Sequence, residues 1–112
     1  MGRPIRWTGD SAIWTGEYEG ASHGSGASII FVLLEPGQSG PRLHMHSYPE
    51  TFVVRRGQVA FTVGDQRVAA AAGDIVVVPA GTPHRFDNAG DDVLEMMDIH
   101  PNERFVTIWL ED

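Results

Sequence analysis

The chain has 112 residues, no cysteine and a formal net charge of −7. This excludes disulfides, thiolate nucleophiles and thiolate metal ligands, and it argues against nucleic acid, whose phosphates call for clustered Lys and Arg. Every basic residue is an arginine, so Schiff-base catalysis through lysine is closed as well.

The length suits one domain, residues 1–112, with a core modest enough that a partner subunit would help to bury apolar surface. No apolar stretch is long enough to span a bilayer and the start lacks a signal-peptide core, so the expectation is no membrane partner and a cytoplasmic location.

Strand signals recur at short intervals between Gly, Pro, Asp and Asn. Residues 11–18 read as a first strand and 19–26, rich in Gly and Ser, as a flexible loop. Residues 27–35 hold an unbroken apolar run from Ile29 to Leu34, which predicts a strand buried on both sides. Pro36 and Gly37 end it. Strands are expected over 51–56, 58–63 and 66–70, the last two joined by a Gly64-Asp65 hairpin turn. Others follow over 74–78, 83–86 and 93–99, with a turn at 87–90. The last segment reads as a short helical turn, because Pro101 and Glu103 suit a first turn and Phe105, Val106, Trp109 and Leu110 suit one helix face. Many short strands without a long helix predict a closed or sandwiched all-β domain.

Four side chains could bind a metal: His44, His46, Glu50 and His84. In a strand, residues i and i+2 share a face. His44 and His46 therefore point the same way, Glu50 keeps that parity if the chain stays extended, and the core-like Phe52 and Val54 continue it. The shared face looks inward. A His-x-His pair alone is more often a surface feature, but a buried glutamate without a partner is costly and a cation is one solution. Tyr48 has the same parity and carries a hydroxyl, which makes it a candidate general acid or base, although a tyrosine packed at the barrel mouth is the commoner case. Phe52, Val54 and Phe86 are expected to line an apolar pocket, with Met96 and His100 if that face of their strand turns inward. Arg42 could bind an anionic substrate. Trp7, Trp14 and Trp109 suit the core edge or a subunit interface.

These residues resemble the two motifs of the cupin superfamily. His44, His46, Glu50 and Gly57 match the first, and Gly73, Pro79, Gly81, His84 and Asn88 match the second in full. Gln38 stands where the family usually has a glycine. The resemblance implies a double-stranded β-helix, a jelly-roll cupin barrel, with one divalent transition metal ion (Fe, Mn, Ni, Co or Zn) held by the three histidines and Glu50. It resembles the small single-domain cupins, which implies a homodimer acting on a small-molecule substrate. Three functions follow as expectations. The first is a metal-dependent dioxygenase-type oxidoreductase. The second is a non-redox isomerase, cyclase, lyase or decarboxylase. The third is a binding or sensing module without turnover.

Overall fold

The computed structural model describes residues 3–111. Its strands are β1 (Thr8–Asp10), β2 (Thr15–Tyr18), β3 (Ser28–Leu34), β4 (His44–Met45), β5 (Glu50–Arg56), β6 (Gln58–Val63), β7 (Gln66–Ala71), β8 (Ile75–Val78), β9 (His84–Asn88), β10 (Leu94–His100) and β11 (Ile108–Trp109). They form a six-stranded sheet in the order β1-β2-β3-β10-β5-β8 and a five-stranded sheet in the order β11-β4-β9-β6-β7. Every pairing is antiparallel. The two sheets face each other as a jelly roll, and the all-β expectation holds.

The core follows from strand alternation. On β5 the inward residues are Glu50, Phe52 and Val54; on β10 they are Leu94, Met96, Asp98 and His100. Phe52, Phe61 and Phe86 meet as an aromatic cluster with ring centroids 4.9–5.7 Å apart, and Val59, Val78, Leu94 and Met96 close around it. Burial of such side chains contributes about 1.5–3 kcal/mol each. The β3 run is apolar on both faces for two reasons. Ile30, Val32 and Leu34 lie opposite Asp98, Met96 and Leu94 and so share their inner face. On the outer face, Phe31 stacks on Trp7 at 3.8 Å and meets Trp14 edge-on at 5.1 Å.

Turn chemistry sets the strand ends. Gly57 sits between β5 and β6 with φ 87°, and a Cβ there would lie 2.4 Å from the Val93 carbonyl oxygen, so only glycine fits. Pro36 and Gly37 occupy the centre of a turn closed by the Gln38 amide donating to the Glu35 carbonyl at 3.0 Å. Gly37 has φ 83°, as a type II turn requires.

Four expectations are corrected. The first strand is a hairpin, β1 and β2 joined by a turn, with Trp14 at φ 53°. The Gly/Ser segment contains a 3-10 turn, Gly20–His23, which the Gly24 amide and a Ser28 hydroxyl help to hold. Asp87 and Asn88 belong to β9 rather than to a turn. The chain end is not helical: residues 101–104 bend, and Ile108 and Trp109 pair with Met45 and His44 as β11. The free edge of β4 offers this segment a ladder, and a helical turn would leave that edge unpaired.

Candidate metal centre

The site lies between the sheets at one end of the barrel. His44 is on β4 and stands directly opposite His84 on β9. His46 follows two residues later, and the Gly81 amide donates to its carbonyl at 2.7 Å, which ties the loop before His84 to the His-x-His segment. Glu50 enters from the other sheet at the first residue of β5. All four side chains are buried, at 5% exposure or less. One ligand atom from each lies within 4.8 Å of the others.

The three imidazoles are oriented alike. Nδ1 of His44 is 2.7 Å from the Arg42 carbonyl, Nδ1 of His46 is 2.7 Å from the Val106 carbonyl, and Nδ1 of His84 is 2.9 Å from the Thr82 carbonyl. A carbonyl only accepts, so each Nδ1 donates. A neutral ring then carries a bare lone pair at Nε2. For His84 that lone pair is 2.7 Å from Glu50 Oε1, and for His46 it is 3.1 Å away. Lone pairs this close repel unless positive charge lies between them. One divalent ion would supply the charge to all four donors. Nε2 of His46 is buried with no hydrogen-bond partner among the described residues, as a free ligand atom should be. The donor set of three imidazoles and one carboxylate fits a divalent transition ion, and the carbonyls behind the rings are the outer partners such ligands need.

A second group of side chains backs Glu50. Its Oε2 is 3.2 Å from His100 Nε2, which is also 3.2 Å from Asp98 Oδ2. His100 Nδ1 is 2.6 Å from the Tyr48 hydroxyl, and that oxygen also accepts from the Val106 amide at 3.2 Å. Burial alone would raise the Glu50 pKa, but the polar groups packed on the carboxylate, Asp98 and His100 first, outweigh it and hold it well below its usual range. Burial pushes Asp98 well up, and the proton it shares with Glu50 adds to this. Burial would lower His100, yet its bonds to Asp98 and Glu50 push it up to about 11. Burial, more than any other cause, lowers His44 from 6.5 and keeps it neutral.

A cavity of about 640 Å³ opens beside the donors. Phe86 and His100 line it, and Arg42, Phe52, Val54, Met96 and Tyr48 do not. Phe52, Val54 and Met96 are inward but fill the core beneath. Arg42 is exposed, lies 4.2 Å over the Trp109 ring, and donates from Nε to the Glu111 carbonyl. Tyr48 stacks on His46 and reaches Glu50 only through His100, because bends at Ser47 and Tyr48 break the extended parity. The sequence reading gave Asp98 and the β3 wall no role at this site and placed Trp109 at the core edge or a subunit interface. An aspartate in mid-strand two residues from a histidine was the available signal for Asp98. Gly40 passes so close to Phe86 that a Cβ would lie 2.5 Å from its ring, so the glycine near Gln38 does the close-approach work at this wall.

The cupin domain model matches residues 30–100, and the chain belongs to the cupin family. An uncharacterized protein of Streptomyces coelicolor is 34% identical over 58 residues, which is 52% of this chain and 55% of that protein. The chain's match thus spans little more than half of that relative. Bacillus subtilis oxalate decarboxylase, in a structure used to assign its Mn(II) centres, superposes with a TM-score of 0.77 at 22% identity. The same enzyme at pH 4.6 gives 0.76. Both matches cover 85% of this chain and 27% of the decarboxylase, so the likeness is one of fold. Among the described residues no helix is long and apolar enough to cross a membrane.

Proposed function

We propose that the protein is a metal-dependent enzyme acting on a small organic molecule in the cavity beside His44, His46, Glu50 and His84, with dioxygen-dependent oxidation as the leading reaction class. The observation that carries this reading is the three Nε2 lone pairs and the Glu50 carboxylate converging at the end of a large cavity. A divalent transition ion there would supply Lewis acidity and, where the metal is redox-active, a route for electrons to dioxygen. The chain's own part is to hold the rings through the Arg42, Val106 and Thr82 carbonyls, to hold Glu50 through His100, and to exclude water with apolar walls. Because the Tyr48 hydroxyl is engaged by His100 and Val106, it acts as a positioning residue.

A non-redox reaction, a decarboxylation, isomerisation or related lyase step, is the second reading. It is favoured by the Asp98–His100 pair beside Glu50, which could hold or return a proton at the cavity wall. Binding without turnover is the third. Oxygen uptake by iron-loaded protein over a panel of small aromatic and dicarbonyl compounds tests the first. Turnover by zinc-loaded protein without oxygen would replace it with the second, and recovery of every bound compound unchanged would leave the third. The homodimer belongs to the same proposal, supported by Ile75 and Val77 standing 63% and 58% exposed on β8, an edge strand. Sedimentation of a single monomeric species would sink it.

A further inference from the structure

The cavity is a slot whose ends differ. At one end are the donors His44, His46 and Glu50, with Asp98 and His100 behind them. From there it runs along the inner face of β3, past Ile30, Val32 and Leu34. Ile30 lies opposite Asp98, and Leu34 lies opposite Leu94, four residues away on β10. At about 3.3 Å per residue the slot is roughly 13 Å long. The other sheet gives the same measure: the Asn88 amide donates to the Leu34 carbonyl at 3.0 Å, and Asn88 is at the far end of β9 from His84. From that sheet Phe86 and Trp109 line the slot, and Gly40 passes against the Phe86 ring.

Away from the donor end, Glu17 is the charged side chain that lines the slot, and it is exposed at the rim. The walls that β3, Phe86 and Trp109 supply are aliphatic and aromatic. An apolar group lying against them is stabilised by leaving water, whereas a charged one loses its hydration and finds no partner. The volume of about 640 Å³ is in the range of sites that enclose sizeable organic ligands. Because the donors occupy one end, a small head bound there leaves most of the slot to the rest of the ligand.

We propose that the site takes a two-part ligand: a small oxygen-bearing head at the ion held by His44, His46, Glu50 and His84, and an uncharged apolar body, a naphthalene-sized ring system or a comparable alkyl chain, lying along β3 toward Leu34. The proposal rests on the reading of the cavity as the substrate site and adds a preference within it. Among molecules that share one head, those with an apolar body bind more tightly. The donors and the ion select the head; Val32, Leu34, Phe86 and Trp109 select the body.

Three probes separate head from body: acetohydroxamate carries the head alone, naphthalene the body alone, and 2-naphthohydroxamate both. Each is titrated into zinc-loaded and metal-free protein, by calorimetry for the hydroxamates and by fluorescence for naphthalene. With zinc, 2-naphthohydroxamate is expected to bind about 10- to 100-fold more tightly than acetohydroxamate, the effect of burying an aromatic side chain. Naphthalene is expected to bind both forms of the protein. Val32→Phe fills the slot away from the donors and should bring the two hydroxamates close to equal, with zinc content unchanged. Trp109→Ala removes a wall residue that is 48% exposed; it should weaken 2-naphthohydroxamate more than acetohydroxamate, and it decides the matter if Val32→Phe fails to fold. Equal affinity of the two hydroxamates for the zinc-loaded parent protein, an advantage that neither variant reduces, or zinc-loaded protein that binds neither hydroxamate would overturn the proposal. A parent protein that takes up no zinc would count against the metal centre instead. Naphthalene binding to the metal-free form, reduced by either variant, would then still support the body's place in the slot, and no such binding would overturn it.

Discussion

His84 Nε2 lies 2.7 Å from Glu50 Oε1 across the gap between the two sheets. His84 opens β9 of the five-stranded sheet and Glu50 opens β5 of the six-stranded one. The contact therefore exists only when the jelly roll is closed. Whatever charge settles between these atoms also links the sheets, so ligand binding at this point adds to fold stability by mass action.

The chain end should matter to the site although it contributes no donor. Val106 accepts from His46 Nδ1 and donates its amide to Tyr48, and β11 covers the edge of β4. Ending the chain after Glu103 is expected to weaken zinc binding by about 10–100-fold, the usual effect of losing an outer partner of a ligand histidine. Competition with a chromophoric chelator measures it. Unchanged affinity would show that the Val106 carbonyl does not orient the ring.

His100 and Tyr48 should separate by distance from Glu50. His100 touches Oε2, whereas Tyr48 touches only His100 and the Val106 amide. His100→Gln is expected to cost about 10–100-fold in metal affinity, and Tyr48→Phe distinctly less. The same chelator competition checks both, and an equal loss in the two variants would place Tyr48 closer to the donors than its contacts do.

The metal-free protein should lose stability as the solution is made alkaline. The His100 pKa is pushed up to about 11 from 6.5, so its contribution is complete below pH 6.5 and is lost as pH rises toward 11. Asp98, raised well above 3.8, acts in the same direction, and lowered His44 adds nothing above pH 6.5. The urea midpoint of metal-free protein should therefore fall steadily from pH 7 to 10, and His100→Gln should flatten the slope. A rising midpoint would reverse the charge assignment of the Asp98–His100 pair.

The core prediction is independent of metal. Phe52 is fully buried and touches the rings of Phe61 and Phe86. Phe52→Ala should destabilise the fold by about 3–5 kcal/mol, read from urea unfolding of the metal-free protein. A loss under about 1 kcal/mol would mean the cluster packs loosely.

His44 and His46 were legible as a pair because they are two apart, Glu50 because Phe52 and Val54 mark its side of β5 as inward, and His84, far away in sequence, only through its match to the second cupin motif. The turns were legible through Gly37, Gly57 and Gly64, whose positive φ only glycine takes readily. What stayed hidden depends on pairings between distant segments. β10 carries apolar residues on both faces, so its alternation could not say that Asp98 faces the cavity until β3 and β5 flank it. The tail reads as a helix by its own periodicity, and only the open edge of β4 makes it β11. Tyr48 followed the parity of its neighbours on paper, but the chain bends there and turns the hydroxyl onto His100. Arg42 offered a charge in the right stretch of sequence, and the tail draws it away to Glu111 and Trp109.

The central claim is that His44, His46, Glu50 and His84 together hold one divalent ion. Metal analysis of purified protein beside His84→Ala, with circular dichroism to establish that both are folded, tests it most directly. Close to one ion per chain is expected in the parent protein and under about a tenth of that in the variant, with the β-sheet spectrum retained in both. Stoichiometric metal in folded His84→Ala, or a parent protein that takes up no divalent ion at neutral pH, would contradict it.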